Sequence, residues 1–308
     1  MMNKKTLWLG AALIGVMGIT GCGGAPGASS KAASAAGSDK IPVVVSFNAM
    51  KEFTEAVGKD KVTVTTMIPD GTEPHDFEPT AADLKKLSDA KVFVYSGMGM
   101  ENWADKATQA ADQKKLLTVE ASRGVEPVKL EDPDEIKEHG PNDPHVWLSI
   151  SGAEQEAANI RDALIKASPE NKTYFEDNYN TFKKQLEDLK AEYTPKFKEV
   201  SSHTIVTGHA AFGYLCRDFG LTQKSVEDTF AHGEPTPDKL AELADYSKAN
   251  HVKVIFTEEL VSPEVSQTLA KEAGAKNETI YTMESAEDNL SYIDRMKANL
   301  QRIYEALK

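Results

Sequence analysis

The 308-residue sequence predicts an α/β fold with two lobes, each built on a parallel sheet that helices cover. Short apolar runs rich in valine and isoleucine alternate with amphipathic segments in the first 120 residues, and the alternation returns after residue 200. Residues 151–198 have helical periodicity and no strand pattern. We therefore predict two lobes joined by one long rigid helix, with a binding cleft between the lobes.

The N-terminal residues have the pattern of a secretion signal. Two lysines precede an apolar run that ends in "ITGC", so Cys22 directly follows small residues. This pattern resembles the lipobox of bacterial lipoproteins. An ordinary signal peptide with a chance cysteine is the alternative. We predict a signal peptide over residues 1–21, lipid on Cys22, and a flexible linker rich in Gly, Ala and Ser over residues 22–40.

An N-terminal lobe is predicted over residues 41–168. Its strands are predicted at 41–47, 61–68, 91–97 and 115–121, and its helices at 48–58, 80–90, 100–110 and 152–167. Residues 124–150 are acidic and rich in proline and glycine. Most of this segment is predicted to be an exposed loop that ends in a short strand, "HVWLSI".

A linking helix is predicted over residues 169–199, followed by a C-terminal lobe over residues 200–308. Ser168 and Pro169 fit an N-cap and a first helical residue, and large apolar side chains follow at helical spacing. In the C-terminal lobe, strands are predicted at 203–208, 250–259 and 278–283, and helices at 210–220, 236–250, 262–275 and 290–307.

Composition excludes some functions. The net charge is −13, and the only charged residues of the predicted signal peptide are lysines. Its removal therefore makes the mature chain more acidic still, and the chain is not expected to bind nucleic acid. No segment after the signal is long and apolar enough to cross a membrane. Cys216 lies on an apolar helical stripe with Leu215 and Phe219, which predicts a buried core thiol and neither a ligand nor a nucleophile.

Four polar side chains are predicted to meet at the cleft. His75 follows a strand by a short, proline-stiffened loop, "GTEPHDFEPT", while His209 and Glu284 each follow a strand directly, and His145 ends the acidic loop. Ligands of α/β sheets bind beyond the carboxyl ends of the strands. Three imidazoles and one carboxylate suit a divalent metal such as zinc, so we predict a metal site with two ligands from each lobe.

Each of these residues also has an ordinary explanation. His75 fits a solvated loop histidine, His145 and His209 fit residues packed at the ends of elements, and Glu284 is one acid among several. The position of all four, rather than any one of them, indicates a site.

Other residues are weaker candidates. Glu258 or Glu259 ends another predicted strand, and either acid or a water molecule is the alternative fourth ligand. His139 lies in the acidic loop over residues 126–144, whose acids fit weak metal uptake. The remaining histidines start strands or lie in a turn and are not expected to bind metal: His203, His232 and His251.

The sequence resembles the zinc- and manganese-binding lipoproteins and solute-binding proteins of bacterial ABC importers. The resemblance covers the chain from about Ile41 to the end, through motifs in the family's order: "GTEPHDFEP", "DAKVFVYSGMGMENW", "DPHVWLS", "VTGHAAFGYL", "GEPTPDKLAEL" and "VIFTEELVSPEVSQTLAKEAG". It implies metal ligands at His75, His145, His209 and Glu284. The resemblance also implies that manganese-binding members use two histidines and two carboxylates as ligands. The three histidine nitrogens of this sequence therefore favour zinc, with manganese as the alternative.

The resemblance also implies a role. It implies an extracytoplasmic, lipid-anchored monomer that captures zinc and delivers it to an ABC permease without catalysing a reaction. A zinc hydrolase is disfavoured because four protein ligands leave no open position and the HExxH spacing is absent. A surface adhesin is another alternative, since family members carry that name. The acidic loop lacks the long histidine-rich run of many zinc members, and Asp76 is expected to accept a hydrogen bond rather than bind metal.

Overall fold

The computed structural model describes residues 40–111, 115–231, 236–260 and 263–308. The predicted signal peptide, the linker and Cys22 lie outside these residues. The strands of the described residues are β1 (Ile41–Val45), β2 (Val62–Thr66), β3 (Val92–Tyr95), β4 (Leu117–Glu120), β5 (Thr204–Thr207), β6 (Thr222–Ser225), β7 (Val254–Thr257) and β8 (Lys276–Thr279).

The helices are longer than the strands and hold a larger share of the described residues. They are α1 (Asn48–Gly58), α2 (Ala81–Asp89), α3 (Ala104–Ala110), α4 (Pro133–His139), α5 (Ile150–Ala167), α6 (Lys172–Lys198), α7 (Gly213–Phe219), α8 (Pro237–Ala249), α9 (Pro263–Ala273) and α10 (Tyr292–Leu307). Within the described part of the chain, none of them combines the length and apolar character that a bilayer crossing needs.

The first sheet has the order β2-β1-β3-β4, with every pair parallel. Helices α1, α2 and α5 pack against it, so the central strands β1 and β3 are almost wholly buried, which explains their runs of valine. Because parallel strands end at the same edge of a sheet, the loops after them converge, and the loop with His75 leaves from that edge after β2.

The second half contains two parallel strand pairs, β5 with β6 and β7 with β8, and β5 lies beside β7. Helices α8 and α9 cover one face through a separate apolar cluster that includes Val206, Leu243, Ile255 and Leu269. The sequence pattern does not reveal β6, because its residues are polar and partly exposed. The predicted class, parallel sheets covered by helices, is confirmed.

The long helix predicted between the two halves is present. A 3-10 turn (Pro169–Asn171) leads directly into α6, whose buried aromatic and leucine residues recur every three or four positions along one face. Ser168 occupies the capping position, but its side chain makes no capping hydrogen bond to the backbone. The described residues pack as one compact unit, so lobe boundaries at residues 168 and 199 stay predictions.

Three local predictions are wrong. "HVWLSI" is not a strand: Val146–Leu148 form a 3-10 turn, and α5 begins at Ile150 with Ser149 as its N-cap, accepting a hydrogen bond from the Gly152 N–H. The acidic segment before it contains a short helix, α4, capped by Asp132. The last strand, β8, ends at Thr279, because the backbone N–H groups of Tyr281, Thr282 and Met283 donate to the side chains of Asn299 and Glu287 rather than to a neighbouring strand.

Cys216 is buried, as predicted, and burial raises the pKa of its thiol to about 12. At about pH 8, roughly 10⁻⁴ of such a thiol is ionised, against about a quarter of a free cysteine. In a Cys22→Ser variant, we therefore expect a thiol-reactive disulfide dye to leave the native protein unmodified for hours and to react at once in denaturant. Rapid labelling of the native protein would contradict the buried position.

Candidate metal centre

The structure brings the four predicted side chains together. One nitrogen or oxygen from each of His75, His145, His209 and Glu284 lies within 4.8 Å of the others. His75 sits in a 3-10 turn (Pro74–Asp76), where Pro74 limits the freedom of the backbone. His209 follows β5, and the other two side chains come from irregular segments rather than from strand ends. His145, His209 and Glu284 are buried, and His75 is half-buried.

The three imidazoles point their Nε2 atoms at one place. Nε2 of His145 lies 3.3 Å from Nε2 of His75 and 3.4 Å from Nε2 of His209. Nitrogen ligands held about 2.0–2.1 Å from a tetrahedral zinc ion are about 3.3–3.4 Å from each other, the edge of that tetrahedron. The spacing therefore matches a zinc site formed by these nitrogens.

His145 is oriented by Asp143. The Asp143 Oδ1 atom lies 2.9 Å from the His145 ring Nδ1 and accepts a hydrogen bond of 2.9 Å from the His145 backbone N–H. Because Nδ1 then carries the proton, Nε2 keeps its lone pair toward the other histidines. Asp143 was not among the residues predicted from the sequence, although an acid two residues before a candidate ligand, in "DPH", was a signal for this role.

Glu284 has one oxygen without a partner. Its Oε2 accepts a hydrogen bond of 2.8 Å from the Thr282 hydroxyl, whereas its buried Oε1 has no hydrogen-bond partner among the described residues. Burial raises the pKa of Glu284 well above its usual range, and the charge of Glu73 raises it further. A buried, unpartnered carboxylate oxygen is costly, and a divalent cation beside it would remove that cost.

His209 and Glu258 form the other side of the site. Glu258 Oε1 accepts a hydrogen bond of 3.3 Å from the His209 backbone N–H and lies 3.7 Å from the ring Nδ1. Burial lowers the pKa of His209 well below its usual value, which favours the neutral, metal-binding form, and burial raises the pKa of Glu258 to about 8. Glu258, the alternative fourth ligand, therefore lies behind His209, and it is Glu284 that completes the cluster.

The remaining histidines have other environments. His139 stacks on Phe230, with 3.8 Å between ring centroids, and Phe230 in turn contacts His75 at 5.1 Å. The acidic segment is thus packed over the cluster by an aromatic contact. His203 and His251 are exposed, and His232 lies outside the described residues.

Removing the Asp143 carboxylate is expected to weaken zinc binding about 10- to 100-fold, the usual cost of losing the group that orients a ligand. Asp143→Asn keeps an oxygen that can accept from the ring, so its loss should be smaller than that of Asp143→Ala. Competition with a chromophoric zinc chelator measures both. Equal zinc affinities for Asp143→Ala and the unsubstituted protein would show that His145 needs no such support.

An α/β fold with parallel sheets, and with three imidazoles and a carboxylate around one point, is typical of a metal-binding solute-binding protein. The family model described as the zinc-uptake complex component A, periplasmic, matches residues 43–306, so the chain belongs to this family, whose members are metal-binding transport proteins that act outside the cytoplasm.

Individual proteins show the same likeness. A Treponema pallidum (strain Nichols) protein named for metal binding is 45% identical over 277 residues, which cover 87% of this chain and 88% of that one. The high-affinity zinc uptake system protein ZnuA of Bacillus subtilis (strain 168) is 37% identical over 90% of this chain and 91% of its own. The solved structure of the laminin binding protein Lmb of Streptococcus agalactiae has a TM-score of 0.80 and 35% identity, and covers 87% of this chain and 100% of that one.

Proposed function

We propose that this chain captures Zn²⁺ outside the cytoplasm and delivers it to the permease of an ABC importer, with His75, His145, His209 and Glu284 as the ligands. The observation that carries the proposal is the 3.3 and 3.4 Å spacing of three Nε2 atoms beside a carboxylate oxygen that has no other partner in the described residues. The zinc uptake relative in Bacillus subtilis supports the same cargo.

The ligand set favours zinc over manganese. Three imidazoles and one carboxylate offer nitrogen-rich, four-coordinate binding, whereas manganese prefers more oxygen ligands and a higher coordination number. Manganese is the alternative cargo. With four protein ligands no coordination position is left for water, so we propose that the protein transports the ion and catalyses no reaction on it.

The chain is proposed to be a lipid-anchored monomer. Cys22 in "ITGC" supports lipid attachment, and the linker over 22–40 would let the folded part reach a membrane-embedded permease.

We keep the division into an N-terminal lobe over 41–168, a linking helix over 169–199 and a C-terminal lobe over 200–308, because it places His75 and His209 on different lobes.

Calorimetric titration of the metal-stripped protein tests the cargo. We expect one zinc ion per chain with a Kd well below about 1 μM, and much weaker binding of manganese in the same cell. Binding no tighter than about 1 μM for zinc, or tighter binding of manganese than of zinc, would contradict the proposal.

An adhesin is the second candidate, and one observation favours it. The Streptococcus agalactiae structure is described as a bifunctional protein with adhesin and metal transporting activity. If this chain shares that activity, the purified protein should bind immobilised laminin saturably, both with and without zinc. A signal no greater than that of an unrelated acidic protein would remove this candidate and leave zinc capture unaffected.

A further inference from the structure

The segment that carries Glu284 is held by the first half of the protein, although it follows the last strand. We call residues 280–290 the Glu284 loop. The hydrogen bonds that tie it to the first half are Asn48 N–H to Glu284 O (3.2 Å), Asp70 Oδ1 from Ala286 N–H (3.0 Å), Gly71 N–H to Ser285 Oγ (2.8 Å) and Trp147 Nε1–H to Thr282 O (2.8 Å).

Arg295 in α10 is the centre of this attachment. Its guanidinium is fully buried, and one terminal nitrogen donates hydrogen bonds of 2.5 Å to the Ser285 carbonyl and 3.0 Å to Glu287 Oε2. The other terminal nitrogen pairs with Glu52 of α1. The Glu287 carboxylate in turn accepts hydrogen bonds from the backbone N–H groups of Thr282 and Met283, at 3.3 and 3.0 Å. One guanidinium thus links both sides of the loop to the first helix.

The backbone of the loop needs such a link. Met283, directly before Glu284, has φ +61°, and Asp288 and Asn289 have φ +53° and +54°. Non-glycine residues in this left-handed region are strained and persist only where surrounding contacts hold them. Arg295, Glu52 and Glu287 supply those contacts at the place where the chain must turn the Glu284 carboxylate toward the histidines.

His209 is held quite differently. Its carbonyl accepts from the Thr207 hydroxyl at 2.7 Å and from Gln223 Nε2 at 2.9 Å, and its N–H donates to Glu258. All of these partners belong to the second half of the chain. The Glu284 loop also begins beside β7, where the Ile280 N–H donates 3.0 Å to the Thr257 carbonyl, but residues 282–286 are tied to the first half and to Arg295. His209 therefore differs from Glu284 in the half of the chain that holds it.

We propose that Arg295 is a positioning residue for zinc capture: through Glu52 and Glu287 it fixes the Glu284 loop to the first half, so that Glu284 acts with His75 and His145 as a three-ligand unit that His209 completes. This inference rests on the proposed zinc function and deepens it. It replaces the predicted two-and-two division of ligands between the lobes, and it assigns a role to a residue that does not touch the ion.

A double-substitution cycle on the full chain tests the proposal. Arg295→Gln is expected to weaken zinc binding about 10- to 100-fold when Glu284 is present. In the Glu284→Ala background the same substitution should weaken it less than about 3-fold, because the carboxylate that Arg295 positions is already gone. Arg302→Gln is the matched control: Arg302 lies on the same helix and donates to the Thr279 carbonyl and, at 3.4 Å, to the Tyr281 hydroxyl at the start of the loop. Among the described residues its hydrogen bonds do not reach Ser285, Glu287 or Glu52, so this substitution should leave zinc affinity unchanged.

Two further measurements separate positioning from general loss of structure. With Co²⁺ as a spectroscopic probe, Arg295→Gln should shift the visible absorption toward the spectrum of Glu284→Ala, whereas Arg302→Gln should not. Arg295→Lys keeps the charge but loses the contact on both sides of the guanidinium. Its cobalt spectrum should lie between those of Arg295→Gln and Arg302→Gln. If Arg295→Gln fails to fold, as judged by thermal unfolding of the metal-free protein, Glu52→Gln takes its place in the cycle.

The outcomes distinguish the two proposals. An unsubstituted protein that does not bind zinc overturns the proposed function, and this inference with it. A protein that binds zinc tightly, but loses equal affinity from the Arg295 or Glu52 substitution with and without Glu284, overturns the inference alone. An Arg295→Gln protein whose cobalt spectrum is unshifted also overturns the inference alone.

Discussion

Replacing His145 by alanine is expected to weaken zinc binding by about 100-fold or more. Structural zinc sites with four ligands bind with about 10–16 kcal/mol, so one ligand contributes on average roughly 3 kcal/mol, about 100-fold in Kd. His145 should exceed this average, because its Nε2 is the atom that lies 3.3 and 3.4 Å from both other imidazoles. Its removal also leaves the buried Asp143 carboxylate without the ring that it orients.

The measurement is competition with a zinc chelator of known affinity, with His203→Ala as the matched control. His203 is exposed directly before β5, and among the described residues its one hydrogen-bonded group is the backbone carbonyl, which accepts from Thr222, so its loss should leave the Kd unchanged. A His145→Ala protein that binds zinc within about 3-fold of the unsubstituted chain would remove His145 from the site. Thermal unfolding of both metal-free variants should remain cooperative, which shows that the loss comes from the ligand.

The residues of this cluster could be predicted because their signals are local. His75 and His209 follow strands, and the carboxyl ends of parallel strands define where a ligand binds. His145 was found from its residue type, while the structure around it was not. "HVWLSI" has the composition of a strand, yet Val146 and Leu148 are buried in a 3-10 turn by contacts with distant elements, which no local pattern encodes.

The groups that support the cluster were harder to predict, for a physical reason. Arg295 and Glu52 are 243 residues apart, and each alone reads as a charged residue on an amphipathic helix. The buried position of Arg295 becomes visible only in the fold, where α10 meets α1 through the Arg295–Glu52 pair and the ring contact of Tyr292 with Phe53. Glu284 was assigned to the C-terminal lobe from its place in the chain, but four hydrogen bonds of residues 282–286 go to the first half.

Replacing Trp147 by alanine is expected to lower the free energy of unfolding by about 3–5 kcal/mol, the usual cost of deleting a large buried aromatic side chain. Trp147 is fully buried, and its ring lies 4.6 Å from that of Phe47, centroid to centroid. Its indole N–H donates 2.8 Å to the Thr282 carbonyl, two residues before Glu284. One side chain thus contributes both to the core and to the attachment of the Glu284 loop.

Two phenylalanine variants separate these contributions. Trp147→Phe keeps most of the apolar contact but leaves the Thr282 carbonyl without its donor, at a cost of about 1–3 kcal/mol. Trp103→Phe is the matched control, because the indole N–H of Trp103 is buried and has no hydrogen-bond partner among the described residues. In urea unfolding of the metal-free proteins, Trp147→Phe should therefore have a lower free energy of unfolding than Trp103→Phe. Of the two substitutions, only Trp147→Phe should also weaken zinc binding. Equal unfolding free energies and zinc affinities for the two would show that the indole bond to the Glu284 loop contributes nothing to either property.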